Sequence, residues 1–202
     1  MYFDLRLPVQ LCVGQFDAIP LARKTILSHL ADYIRQKYKR EEVIHLNYIC
    51  THNSRRSHFG QVAGALAAHY YAIDQVFTYS GGTETTAVNP QAIAALNQFG
   101  FKVEQLDYTL NPKYKVSFGP SNFSNCFSKV YDDVINPKVS FAAIMTCGDA
   151  DANCPYIPGA DHRFTTTYED PKLSDGTQDA SRIYLERFKQ ILTENLFVCS
   201  LV

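Results

Sequence analysis

The chain carries almost no net charge: 19 Lys and Arg stand against 20 Asp and Glu over 202 residues. A near-neutral surface gives no electrostatic footprint for nucleic acid. No apolar run is long enough to span a bilayer. The opening residues, Met1-Tyr-Phe-Asp-Leu-Arg-Leu-Pro, lack the charged-then-apolar pattern of a signal peptide, so the expected location is cytoplasmic. There is no internal repeat and no low-complexity tract. The six cysteines, at 12, 50, 126, 147, 154 and 199, are too sparse for an extracellular disulfide framework, and most are expected to be reduced thiols.

With 46% hydrophobic residues, the chain can bury a sizeable core as one domain with an extension. We divide it into an N-terminal helical extension, 1–42, and an α/β domain, 43–202. In the extension Leu27, Leu30, Ala31, Ile34 and Tyr38 share a face at helical spacing. They predict one amphipathic helix packed on the α/β domain, with a partner surface as the alternative. Val43 to Ile49 reads as a strand buried on both faces, and Ser57 to Tyr71 as a helix. Gln75 to Tyr79 is a second strand, and Ser80-Gly81-Gly82-Thr83 a turn. Asn89-Pro90 starts a helix that Gly100 ends. The pattern then weakens through an aromatic stretch, 105–138, in which Phe123 to Ile135 is a candidate helix with Val134 inward. Val139 to Thr146 is a third buried strand, and a short one lies near 163–167. A last helix runs over about 179–196, with Tyr184, Phe188, Ile191 and Leu192 inward. Alternating strands and helices imply a three-layer α/β/α fold around a central, mostly four-stranded parallel sheet.

Ligands of such sheets bind at the carboxyl ends of the strands. Cys50, Ser80, Cys147 and Asp170 all fall at or after predicted strand ends. Cys50-Thr51-His52-Asn53-Ser54-Arg55-Arg56-Ser57 links the first strand to its helix, a layout that aims backbone N–H groups and a helix N-terminus at an anion. That field favours the thiolate of Cys50, a nucleophile. Arg56 adds a planar fork for two oxygens of an oxyanion. The Thr51 and Ser57 hydroxyls are placed to bond the sulfur, or to cap the helix. Asn53 suits a left-handed loop position. Asp170, stiffened by Pro171, is the candidate general acid; otherwise Asp-Pro is a surface turn. A plainer reading makes Cys50 a buried strand-end cysteine and Arg56 a surface charge.

Cys147 and Cys154 flank Gly148-Asp-Ala-Asp-Ala-Asn153, a poor helix former and hence a mobile link that would let the two thiols meet. Two buried cysteines are the alternative. The spacing is not usual for zinc, and a calcium loop fails for want of its glycine and its twelfth ligand. No metal is expected.

Cys50-Thr-His-Asn-Ser-Arg-Arg56-Ser57 resembles the anion loop of the low-molecular-weight protein tyrosine phosphatase superfamily. Tyr79 to Pro90 resembles the second strand and loop of its thioredoxin-coupled arsenate reductases, Thr146 to Pro155 their redox segment and Glu169-Asp170-Pro171 their acid loop. The resemblance covers about residues 43–196, less the aromatic stretch. It implies that Cys50 attacks arsenate while Asp170 protonates the departing oxygen. Cys147 then attacks Cys50 and releases arsenite, and Cys154 attacks Cys147. Thioredoxin reduces the resulting disulfide, and no bound cofactor is implied. His52 replaces a usual glycine, which implies a strained loop backbone or a narrower entrance. Arg55 adds charge beside the anion, and Gln61 stands where potassium-binding members are often acidic, so no potassium site is assigned. The alternatives are a phosphatase using Cys50, Arg56 and Asp170 without a second thiol, and a non-catalytic oxyanion-binding module.

Overall fold

A computed structural model describes every residue of the chain except Pro155. Among the described residues, seven strands and six α-helices follow one another in the order α1 (Phe3–Val13), α2 (Leu21–Lys39), β1 (Ile44–Cys50), α3 (Arg56–Tyr70), β2 (Val76–Gly82), α4 (Pro90–Phe99), β3 (Lys102–Gln105), β4 (Tyr114–Ser117), β5 (Phe123–Cys126), β6 (Phe141–Met145), α5 (Gly148–Asn153), β7 (Ala160–Thr165) and α6 (Ala180–Ser200). A four-stranded, all-parallel sheet has the order β2-β1-β6-β7, and β3-β4-β5 form a separate antiparallel sheet. Strands alternating with helices force crossovers, and crossovers force parallel pairing.

β1 lies inside the sheet and is buried on both faces, with Asn47 among its buried residues. Ile44, Leu46 and Tyr48 face α2 in a cluster with Leu27, Leu30 and Ile34, while Ile49 faces the other way in a cluster with Met145, Cys147, Ala150 and Ile157 that Cys50 joins at the strand end. α2, α3 and α6 therefore cover one face, and α5 with its neighbouring segments covers the other. α6 carries the largest fully buried side chains, Tyr184 and Phe188. Phe188 packs edge-on against Phe59, Phe99 and Phe101, each such ring contributing on the order of 1.5–3 kcal/mol through burial.

Four sequence expectations need correction. The extension holds two α-helices rather than one. Leu5 and Val9 of α1 are fully buried among residues of α3 and α6, while Phe3, Leu7 and Leu11 on its outer side are exposed; apolar on both sides, α1 shows no helical stripe to read. Ser80, Gly81 and Gly82 are not a turn but the end of β2. Their glycines serve close approach: a Cβ on Gly81 would stand 2.2 Å from Tyr131 Cα, and one on Gly82 2.6 Å from the Thr51 carbonyl oxygen. Phe123 to Ile135 is not a helix. It opens with β5, whose residues alternate exposed and buried, and Val134 is 88% exposed. The link between Cys147 and Cys154 is not a loose tether but the helix α5, because the Cys147 sulfur caps its first turn by accepting from the Ala150 N–H, 3.4 Å away. The Asn89 cap and the left-handed Gly100 (φ 118°) bound α4 as expected. No described helix is long and apolar enough to cross a membrane.

Candidate active site

At the carboxyl end of β1 the loop 51–55 turns into α3. Its carbonyl groups all point outward to partners. The oxygen of Cys50 accepts from Thr83 N–H, that of Thr51 from Glu84 N–H, that of Ser54 from Asn89 N–H and that of Arg55 from Phe59 N–H. The His52 oxygen accepts from the Ser128 and Thr86 hydroxyls, and the Asn53 oxygen bonds the His58 ring. Among the described residues, no backbone N–H from Thr51 to Ser57 finds an acceptor in the chain. A row of amides turned inward at a helix N-terminus is a cradle for a tetrahedral oxyanion.

Asn53 adopts the left-handed conformation, φ 44°, which asparagine tolerates. Its side chain holds the loop's shape: Nδ2 donates to Ser57 Oγ at 2.8 Å, and Oδ1 accepts from the Lys129 N–H at 2.9 Å. Ser57 Oγ in turn lies 3.1 Å from Cys50 Sγ. His52 is not among the left-handed residues, so a side chain in place of the usual glycine meets no positive-φ strain there. Its ring lies on the rim, 3.7 Å from Glu84.

Arg56 and Asp170 meet directly. One Arg56 nitrogen donates to Asp170 Oδ2 at 2.6 Å and the other to the Tyr168 carbonyl at 2.9 Å. Asp170 also accepts from the Lys172 N–H, which fixes the acid loop. Arg55 is drawn away from the anion cradle. Its guanidinium donates to Tyr184 Oη at 2.7 Å and to Asp175 at 3.2 Å, so its charge is committed to α6 and the acid loop rather than to an anion.

Cys147 follows β6, the neighbour of β1 in the sheet. Its sulfur is buried and lies 3.4 Å from Thr51 Oγ1. The structure thus makes two short side-chain contacts at adjacent residues of the loop, Cys50 with Ser57 and Thr51 with Cys147. Cys154 closes the far end of α5 and is half-buried. Arg163 of β7 ties that end down by donating to the Cys154 carbonyl at 3.1 Å and to Asp151 Oδ1 at 2.5 Å.

Several residues that build the site give no sequence signal. Ser128 and Lys129 brace the loop from inside the aromatic stretch, where no periodicity singles them out. His58, equally unmarked, lies beneath it with Ser80, which its place at a strand end does mark. The His58 ring bonds the Asn53 oxygen and Ser80 Oγ, and Ser80 donates to Gln61 Oε1 at 2.7 Å. Burial, with the Lys129 ammonium adding to it, pushes His58 down to about 3, so this ring is a neutral strut. Gln61 stands out in the sequence only as a departure from an acidic pattern; in the fold it links Ser80 to the Asn125 carbonyl.

No family model matches the chain. An arsenate reductase of Staphylococcus aureus (strain Newman) is 31% identical over 147 residues, covering 70% of this chain and 93% of its own length. The chain belongs to the arsenate reductase family. The arsenate reductase of Shouchella clausii (strain KSM-K16) is 27% identical over 142 residues, 70% of this chain and 84% of its own. Among solved structures, a low-molecular-weight protein tyrosine phosphatase from T. tengcongensis superposes with a TM-score of 0.52 over 79% of this chain and 99% of that one, at 13% identity. A low-molecular-weight phosphotyrosine phosphatase from Vibrio cholerae O395 gives 0.50 over 78% and 95%. This arsenate reductase relative thus has the fold of the low-molecular-weight phosphatases.

Proposed function

We propose that the chain reduces arsenate to arsenite through a relay of three thiols, Cys50, Cys147 and Cys154. The observation that supports this most is the Thr51–Cys147 contact: a second thiol stands one hydroxyl away from the anion cradle, where a phosphatase needs none. Arsenate would lie against the loop amides, with the Arg56 fork exchanging Asp170 for two arsenate oxygens. The Cys50 thiolate attacks arsenic(V), and the displaced oxygen leaves as water with a proton from Asp170. The Cys147 thiolate then attacks Cys50 Sγ. The S–S bond forms, and the electron pair of the S–As bond stays on arsenic, which departs as arsenite. Cys154 attacks Cys147 and frees the Cys50 thiolate. A thioredoxin-type dithiol returns two electrons to the Cys147–Cys154 disulfide. A reducing cytoplasm would keep the thiols ready for the next cycle.

This route requires α5 to unwind. Cys147 and Cys154 cap opposite ends of one helix, and seven residues at a rise of 1.5 Å put their Cα atoms about 10 Å apart. A disulfide needs them within roughly 4.4–6.8 Å. The composition that predicts a loose link serves here: Asp149, Asp151 and Asn153 make the helix weak.

The test is thioredoxin-dependent arsenate reduction alongside hydrolysis of a phosphotyrosine analogue, in the parent, Cys147→Ser and Cys154→Ser. Both serine variants should lose multiple turnover in the reductase assay. Full turnover in both would sink the relay. Hydrolysis alone in the parent would favour the phosphatase reading, and oxyanion binding with neither activity a non-catalytic module.

A further inference from the structure

We propose that the outer edge of β2 binds an extended peptide that runs parallel to the strand, with an acidic residue at its carboxyl end and a basic one at its amino end. In the parallel ladder only alternate residues of β2 face β1. Gln75 receives the Ile44 N–H, and Thr83 donates to the Cys50 carbonyl, so the odd-numbered residues pair inward. The even-numbered ones point away from the sheet. At the carboxyl end these are occupied: Gly82 exchanges hydrogen bonds with Lys129 and Tyr131, and Ser80 O accepts from Asn136 Nδ2. The backbone groups of Val76 and Thr78 have no such partner among the described residues.

That open stretch forms one wall of a polar groove of about 480 Å³, whose other walls include Gln61, His69 and β5 residues 123–125. The edge carries none of the proline or lysine that guards exposed strands against pairing. A strand added here would continue the line already begun by residues 129–131, which pair with Gly82 in parallel.

The groove's two ends differ in charge. Lys129 lines the end near Ser80. It is 3% exposed, lies over the Phe127 ring, and its Nζ finds no hydrogen-bond partner among the described residues. Asn136 Oδ1, lining the same groove, is also buried without a donor. A buried ammonium without an acceptor is costly, and an incoming carboxylate would relieve it. Asp74 lines the other end, is exposed, and forms no ion pair among the described residues. A peptide with its positive end at Asp74 and its negative end at Lys129 therefore lies parallel to β2, and about five extended residues span the distance. Asn136 Oδ1 is placed to accept one of its N–H groups. Backbone pairing along an edge with charge recognition at the ends is an established mode of peptide capture.

The probe is a fluorescein-labelled peptide, Lys-Val-Thr-Val-Thr-Glu, followed by anisotropy against the full chain. Its reversed sequence, a Glu→Gln form and a form N-methylated at alternate residues serve as controls. Saturable binding by the parent is expected, weaker by at least about tenfold for the N-methylated and reversed forms. Thr78→Pro removes an outward N–H without touching the ladder to β1 and should abolish binding. Lys129→Met, which deletes an unpaired buried charge, should bind the Glu and Gln peptides alike; melting curves confirm that both variants fold. No saturable binding by the parent up to about 1 mM, equal binding of the reversed peptide, or parent-like discrimination in Lys129→Met overturns the proposal.

Discussion

Thr51 and Cys147 face each other across the ends of two adjacent strands, hydroxyl oxygen to sulfur at 3.4 Å. The contact couples the anion loop to the second thiol of the proposed relay. Thr51→Val keeps the shape and removes the hydroxyl. Single-turnover arsenite release should slow by about tenfold, with arsenate binding unchanged and Thr51→Ser close to the parent. An unaltered rate in Thr51→Val would remove the hydroxyl from the relay.

Arg163 is the hook on α5. Its hydrogen bonds to Asp151 and the Cys154 carbonyl hold together a helix that the proposed relay requires to open. Arg163→Ala should speed formation of the Cys147–Cys154 disulfide several-fold while lowering stability by about 1–3 kcal/mol. Trapping free thiols over time after arsenate is added, with mass detection, reads the first effect, and urea unfolding the second. Slower disulfide formation would show that Arg163 guides the segment instead of restraining it.

How far the sequence reveals this architecture depends on local regularity. Val43 to Ile49 and Val139 to Thr146 declare themselves as buried strands because apolar and aromatic residues run through them almost without a break, and β1 and β6 are the central pair. Tyr184, Phe188, Ile191 and Leu192 declare the inner face of α6, and all are fully buried. The loop from Cys50 to Ser57 is legible because its chemistry is contiguous. What escapes is whatever depends on distant backbone. Gly81 and Gly82 look like a turn, yet they are glycines because Tyr131 and Thr51 press against them. Ser128 and Lys129 stand 76 residues beyond the loop atoms they brace, and no short-range pattern encodes that. α5 escapes because a thiol supplies the cap that its own sequence lacks.

The strain-free fit at Gly81 is open to a direct test. Gly81→Ala would place a methyl 2.2 Å from Tyr131 Cα and 2.7 Å from its nitrogen. Backbone cannot yield as a side chain does, so a loss of about 3 kcal/mol in denaturant unfolding is expected. Because the displaced segment includes Lys129, KM for arsenate should rise as well. Parent-like stability would mean that the segment is free to move.

His58 sets an acid limit on the fold. Its ordinary value is 6.5, and in the folded chain burial takes it down to about 3. Between those values the unfolded chain binds a proton that the folded chain refuses. Stability is therefore complete above pH 6.5 and declines as the pH falls toward 3. Urea midpoints at about pH 7.5, 6 and 5 should drop in that order, and His58→Gln should flatten the slope on the acid side of the ordinary histidine value. The same slope in His58→Gln would assign the loss to other groups.

The two caps of α5 have a consequence for the reductant. Because the helix and the proposed Cys147–Cys154 bond demand different spans of the same eight residues, from Cys147 to Cys154, the proposed relay gives the oxidised enzyme a contour that the reduced enzyme lacks. A reductant that docks on that contour would let go once its electrons are delivered, as the segment recoils to helix. Spent and waiting molecules could then share one compartment without competing for the same dithiol.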